Sequence, residues 1–170
     1  MGFDNGPNDV INGQLQFRFL AFIWTSDQGM QPLGTLPGDA MSEATDINDE
    51  NQIIGVSYAD FQFDNPRAFL YEGGKMTALN DLPTTSSKSN FFVFSTGGIN
   101  DSGQIGAQAF LITNGVATGD AHAVLLIPTA DCDEDDASPS NPAKLVIPDD
   151  IAKQMQLRTS KGRLALLAKP

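Results

Sequence analysis

Short apolar runs separated by turn residues recur along the first 130 residues of the chain. Residues 21–24 and 68–71 are aromatic-containing runs, and each is followed by a glycine-containing turn and a second apolar run. Further apolar, mostly β-branched positions follow residues 52 and 104. Runs of about four to eight such residues, bounded by turn residues, are typical of buried β-strands. The pattern therefore predicts an all-β fold.

One segment occurs twice, since residues 46–55 return as residues 98–106. A period of roughly 50 residues indicates stacked supersecondary units, most often propeller blades or solenoid turns. Each copy carries an Asn-Asp turn whose fourth residue is Asn51 or Gly103, the two residue types that best tolerate positive φ. Each copy is therefore predicted to form a three-residue hairpin corner, closed by a type I turn and one left-handed residue, with Asn48 or Asn100 capping it.

The repeating unit consists of an aromatic strand, a second strand, a loop ending in Ile-Asn-Asp, and a strand leading to the next aromatic strand. These are about four short antiparallel strands per unit, which favours a β-propeller-like blade, with a β-sandwich or β-solenoid as the alternative. A third aromatic-type strand is predicted at residues 122–125, with residues 104–112 and 121–127 as the arms of a hairpin. An alignment on residues 109–111 competes with it. Residues 9–20 are interpreted as the end of an incomplete earlier unit.

The chain resembles the bacterial HAF family of extracellular repeats, which is named for a His-Ala-Phe tripeptide paired with an Ile-Asn-Asp-x-Gly-Gln-Ile segment. Residues 9–128 carry the resemblance, with three tripeptide-like segments, one complete second segment and a linker-like segment: Leu20-Ala21-Phe22-Ile23, Arg67-Ala68-Phe69-Leu70, His122-Ala123-Val124-Leu125, Ile99-Asn100-Asp101-Ser102-Gly103-Gln104-Ile105 and Leu33-Gly34-Thr35-Leu36-Pro37-Gly38. No copy of the tripeptide is complete. The resemblance implies an exported all-β repeat protein, and it brings no catalytic residues with it.

Composition changes after the repeats. Residues 1–130 are predicted to be the β-repeat domain, with two full and two partial units, residues 131–148 an acidic linker rich in Pro, Ser and Asn, and residues 149–170 a basic tail. The formal net charge of -11 repels phosphate backbones and argues against nucleic-acid binding. No apolar run approaches the length of a membrane span. The first residues lack the basic and apolar regions of a signal peptide, so either export is not used or the chain is a mature or trimmed segment. We favour trimming and expect an extracellular or cell-surface location.

Few residues suggest metal or nucleophile chemistry. The run Asp131–Asp136 alternates acids like a calcium loop, but the glycine and distal glutamate that close such a site do not follow at the right spacing. A solvated linker is therefore the preferred interpretation. Cys132 and His122 are the only residues of their types, and the carboxylates around the thiol suppress its reactivity. We predict no catalytic, cofactor-binding or metal-binding residues.

Aromatic side chains offer the remaining candidate surface. Trp24 and Tyr71 occupy matching places in two units, which predicts packing positions between units, although exposed aromatics could instead bind sugars. Asp49 and Asp101 lie at matching corners and are interpreted as turn residues. The favoured function is a non-enzymatic extracellular structural or interaction module that self-associates through open repeat edges or belongs to a longer array. A carbohydrate-binding module is the alternative, and a glycan-active hydrolase is a third class.

Overall fold

The computed structural model describes residues 18–60, 62–82 and 90–128, together with the backbone of residues 2–5, 9–11 and 14–16. The predicted linker at 131–148, the predicted tail at 149–170, the acidic run Asp131–Asp136 and Cys132 lie outside the described residues. Among the described residues no helix has the length and apolar character needed to cross a membrane.

The prediction of an all-β fold is confirmed for the described residues, which contain β-strands and one 3₁₀ turn at Leu79–Asp81. Strand bounds run as follows: β1 Gly2–Asn5, β2 Asp9–Ile11, β3 Gln14–Gln16, β4 Phe19–Thr25, β5 Gly29–Gly34, β6 Met41–Ile47, β7 Ile53–Tyr58, β8 Arg67–Glu72, β9 Lys75–Ala78, β10 Phe91–Ile99, β11 Ile105–Thr113 and β12 Val116–Leu126.

Three antiparallel sheets contain most of these strands. The N-terminal sheet has the order β1-β4-β5, the central sheet β6-β7-β8-β9 and the C-terminal sheet β10-β11-β12, while β2 and β3 form a separate ribbon. Successive strands are joined by tight turns where the chain has glycine or asparagine. Gly73 and Gly74, between β8 and β9, have φ of 55° and 83°, as a two-residue hairpin turn requires.

The sheets stack face to face, with the central sheet in the middle. One face of the central sheet packs on the N-terminal sheet through a core of buried residues from both: Ala21, Leu33, Leu36, Ala44, Ile53, Phe69 and Ala78. Its other face packs on the C-terminal sheet through a second core: Ile54, Ala68, Leu79, Val93, Ile105, Ala107 and Ala109. Strand β7 is consequently buried along its whole length. The described sheets form a stack and no closed barrel or ring.

The registers of the sheets show that they are copies of one another. Ile53 on β7 pairs with Tyr71 on β8, and Ile105 on β11 pairs with Leu126 on β12. These pairings make residues 122–125 the counterpart of residues 67–70, as predicted. The competing alignment, on residues 109–111, is wrong. The turn between β11 and β12 is the pair Asn114-Gly115, at φ of 52° and 77°.

The boundary of the sequence unit differs from the boundary of the sheet. The sequence suggests a unit that begins at an aromatic strand, whereas the complete four-stranded sheet begins at β6, one hairpin later. The chain therefore crosses from one sheet to the next after the second strand of each sequence unit, between β5 and β6 and again between β9 and β10. This crossing links neighbouring sheets covalently.

The interpretation of residues 9–20 is corrected by the pairing of the N-terminal sheet. Residues 9–11 and 14–16 form the ribbon β2-β3, and it is β1 that pairs with the aromatic strand, with Gly2 opposite Phe22 as Gly55 is opposite Phe69. Sequence inspection missed β1 because it lies far from the strand that it pairs with. The N-terminal sheet thus has counterparts of β7, β8 and β9, and the C-terminal sheet has counterparts of β6, β7 and β8.

Candidate functional site

The two repeated corners have the predicted backbone conformation. Asn51 has φ of 59° and Gly103 has φ of 72°, so both are left-handed. In the first corner the N–H of Asn51 donates to the carbonyl of Asn48 over 3.1 Å, and the N–H of Gln52 donates to Asn48 Oδ1 over 2.9 Å. The second corner repeats these bonds from Gly103 and Gln104 to Asn100. In each corner the asparagine Oδ1 thus accepts a backbone N–H at the start of the next strand and caps the turn.

The corners also bond to each other and join the central sheet to the C-terminal sheet. Asn48 Nδ2 donates to the carbonyl of Asn100 over 3.0 Å, and the N–H of Asp49 donates to Asp101 Oδ1 over 3.1 Å. We call this set of bonds between residues 45–49 and 96–101 the corner ladder. Asp101 accepts the bond from Asp49 with its carboxylate, and Asp49 contributes only its backbone N–H. Both aspartates lie in turns, as the sequence indicates.

Two further bonds continue the corner ladder into the strands. The N–H of Ile99 donates to Asp46 Oδ2 over 2.9 Å, and the hydroxyls of Thr45 and Thr96 lie 2.7 Å apart. All four bonds connect positions 51 to 53 residues apart, so the two repeats are joined through residues about one repeat period apart. A polar seam of this kind fixes the register of one sheet on the next, which apolar packing alone leaves loosely specified.

Buried serines perform the same task between the N-terminal and central sheets. Ser42 Oγ accepts from the N–H of Ala21 over 2.9 Å and donates to the carbonyl of Gly34, while Ser57 Oγ accepts from the N–H of Leu36 over 3.1 Å. Sequence reasoning missed both serines, since a single serine within a strand gives no motif. Their burial and their bonds indicate a structural role.

The aromatic residues divide into buried and exposed groups. Tyr71 packs against the core between the N-terminal and central sheets, as predicted. Trp24, its counterpart, is 60% exposed, so the prediction that it packs between units is wrong for this residue in the described chain. The physical reason is position: Trp24 lies on the outer face of the terminal sheet in the stack. Met30, its cross-strand partner, is 50% exposed beside it.

Other aromatic residues of the described chain are distributed between core and surface. Tyr58 is buried and contacts Phe63 edge to face, with 5.1 Å between the ring centroids. Phe94 is buried and stacks on Phe110, with 4.4 Å between the ring centroids. Phe91, at the edge of the C-terminal sheet, contacts the ring of His122 at 5.7 Å. His122 is exposed on β12 and lies in an aromatic contact rather than beside a nucleophile among the described residues.

Ionisable residues of the described chain form no cluster of three or more that could hold a metal ion. One carboxylate pair occurs in the loop between β7 and β8. Partial burial raises the pKa of Asp64 above its usual value, and the negative charge of Asp60 and the hydrogen bond that protonated Asp64 donates to the Asp60 carboxylate raise it further. Asp60 Oδ1 also accepts the N–H of Gln62 at 2.9 Å and that of Asp64 at 3.1 Å, so the pair organises the loop.

A shallow groove of about 430 Å³ lies on the C-terminal sheet. It is formed mainly by residues with small side chains: Gly97, Gly98, Gly106, Ala107 and Ala123, with Gln108 and Val124. Such a surface offers contact area and backbone polar groups, and it offers no nucleophile, acid or base for catalysis.

No protein-family model matches the chain, and searches of curated proteins and of solved structures find no match either.

Proposed function

We propose that the chain is an extracellular, non-enzymatic repeat module that serves in structure or protein interaction, either by self-association or within a longer array of the same units. The observation that carries the proposal is that apolar packing of sheet on sheet occurs twice. The central sheet is held on both faces by apolar cores, and its corner is bonded to the corner of the next repeat. Apolar packing that repeats in this way can be extended by further units.

We also infer a cell-surface location, which the resemblance to HAF-type repeats implies. The stack is compatible with part of a propeller-like arrangement, because its complete sheet is a four-stranded antiparallel meander packed against neighbouring sheets. Self-association or continuation in further units would then cover the outer faces of the stack.

Carbohydrate binding is the second candidate, and one observation favours it. Trp24 is largely exposed, and an exposed indole has the apolar face on which sugar rings stack. The nearby polar residues are Gln28 in the adjoining turn and Gln31, whose pairing with Ile23 places it on the opposite face of the sheet from the indole. The side chain of Gln31 is already engaged with the carbonyl of Gln28 over 2.9 Å, which reduces what it can offer a ligand.

The two candidates are separated by mass and by glycan binding measured on the same protein. We expect the weight-average mass from light scattering to rise with protein concentration and an array of bacterial and plant glycans to show no binding. A protein that stays monomeric at all concentrations and retains oligosaccharides through Trp24 would overturn the proposed function in favour of the second. Hydrolysis in a screen of polysaccharides would overturn both.

A further inference from the structure

The outer face of the N-terminal sheet is a copy of a face that is covered elsewhere in the same chain. Trp24 pairs with Met30 across β4 and β5, and Tyr71 pairs with Met76 across β8 and β9 in the same register. Tyr71 and Met76 pack against the core under the N-terminal sheet. Trp24 and Met30 have no such cover and are 60% and 50% exposed. We call the surface of Phe22, Trp24, Met30 and Pro32 the tryptophan face.

The outer face of the C-terminal sheet is also a copy of a covered face, namely the face with which the central sheet packs on the C-terminal sheet. Ile54, Ala68 and Leu70 of the central sheet pack on the C-terminal sheet, and the registers place Gly106, Ala123 and Leu125 at the equivalent positions. Leu125 is 61% exposed, and Ile127, two residues further on, is also exposed. We call the surface of Gly106, Ala123, Leu125 and Ile127 the glycine-alanine face.

Compared with the internal faces that they copy, the tryptophan face carries a larger side chain and the glycine-alanine face a smaller one. The tryptophan face carries an indole where the central sheet has Tyr71, so it protrudes further. The glycine-alanine face has Gly106 where the central sheet has Ile54, which leaves the groove of about 430 Å³. A larger side chain opposite a smaller one keeps the filled volume of the junction, and close packing demands such compensation. None of the residues that define either face is charged, so little desolvation of charge opposes their contact.

We propose that the tryptophan face of one molecule docks on the glycine-alanine face of a second copy, so that the stack of sheets continues from chain to chain. This inference rests on the proposed function and names its partner and its surfaces. The contact is heterologous, because two different faces meet, and it leads to a ring or to an open filament according to the angle between copies. Trp24 is the anchor of the contact, as buried aromatic residues commonly are.

The test uses full-length variants with one face changed in each. Trp24→Ala removes the anchor and leaves the glycine-alanine face, while Leu125→Asp places a charge on the glycine-alanine face and leaves the tryptophan face. Both side chains are largely exposed, so both variants are expected to fold. Val116→Asp is the matched control, because Val116 is an exposed apolar residue at the tip of the β11-β12 hairpin, outside both faces.

Each of the two face variants should self-associate at least about 30-fold more weakly than the parent, the loss expected of an interface anchor worth about 2 kcal/mol. Mixed at equal concentration, they should form a one-to-one dimer, because one intact face of each kind remains. Trp24 is the only tryptophan of the chain, so fluorescence of the mixture comes from the Leu125→Asp partner alone. Its emission should move to shorter wavelength when the Trp24→Ala partner is added.

Three results would overturn the inference. A concentration-dependent shift in the Trp24 emission of the Leu125→Asp variant, measured without its partner, would mean that two tryptophan faces meet. Absence of both dimer and shift in the mixture, while the parent still self-associates, would place the contact elsewhere and leave the proposed function standing. A monomeric parent whose Trp24 emission shifts only with added oligosaccharide would refute the inference together with the proposed function. Val116→Asp should match the parent throughout.

Discussion

Gly55→Ala should strongly destabilise the protein, although the change adds a single methyl group. Gly55 lies on β7, an inner strand of the central sheet, and is opposite Phe69 on β8. A Cβ atom at this position would overlap the carbonyl oxygen of Glu43 and would lie 2.6 Å from Cζ of Phe69. The phenylalanine ring is fully buried and can move only by displacing the core between the N-terminal and central sheets.

The backbone contact sets the magnitude of the effect. A side chain can change rotamer to admit a methyl group, but the oxygen of Glu43 belongs to the neighbouring strand β6, so the two strands must separate locally. Overpacking of a dense core costs about 1–3 kcal/mol and occasionally more, and we expect the upper end, about 3 kcal/mol. A domain whose total stability is about 5–15 kcal/mol would lose a large share of it.

Urea unfolding followed by circular dichroism measures this loss as a lower midpoint with an unchanged slope. Gly106→Ala is the matched control, since the nearest atom to its added Cβ is the oxygen of Gly98 at 3.9 Å. Because Gly106 belongs to the glycine-alanine face, the comparison is made at a protein concentration low enough for a monomer. There we expect the control to stay within about 0.5 kcal/mol of the parent, as surface substitutions usually do. A Gly55→Ala variant as stable as the control would refute the packing described for the central sheet.

Three further predictions test the corners and the exposed face. Gly103→Val should cost about 1–2 kcal/mol, because a β-branched side chain is strained at the positive φ of this position. Gly103→Asn should cost less but still destabilise measurably, since a Cβ at this position lies 3.0 Å from Pro128 Cγ. Equal stabilities of the two variants in urea unfolding would contradict the corner conformation. Asp46→Ala should cost about 1–2 kcal/mol, because it leaves the backbone N–H of Ile99 without its acceptor. Asp49→Ala should be nearly neutral, because Asp49 contributes only its backbone N–H to the corner ladder. Thermal unfolding of both variants measures the difference. Trp24→Ala should cost only about 1–2 kcal/mol, well below the roughly 3–5 kcal/mol of a buried tryptophan, and a larger loss at low protein concentration would show that the indole is buried within the monomer.

The sequence predicts the local elements of this chain well. Both corners, the left-handed Asn51 and Gly103, the Gly73-Gly74 turn and the hairpin that ends at residues 122–125 have the expected conformation or pairing. These features depend on residues close together in the chain, whose side chains carry the signal themselves. Turn geometry selects Gly and Asn directly, so a single sequence is enough to find them.

The arrangement of sheets is harder to predict because it depends on contacts between distant residues. The sequence unit and the sheet have the same period and different boundaries, and periodicity alone does not show where a sheet begins. Exposure of Trp24 has the same origin, since its position in the repeat is equivalent to that of Tyr71 and only its place at the end of the stack differs. Ser42 and Ser57 give no sequence signal, because their bonds join residues about 20 positions apart.

Compensation between paired positions explains why the repeats diverge while the junction is kept. The cross-strand pair Gly55 and Phe69 in the central sheet corresponds to Ala107 and Val124 in the C-terminal sheet, so a smaller residue on one strand accompanies a larger one on the other. The double change Gly55→Ala with Phe69→Val would transfer the second pair into the central sheet. It removes the contact with the ring and leaves the contact with the oxygen of Glu43, so we expect it to remain less stable than Phe69→Val alone. A double variant as stable as Phe69→Val in urea unfolding would show that the ring, and not the backbone of β6, forbids a side chain at Gly55.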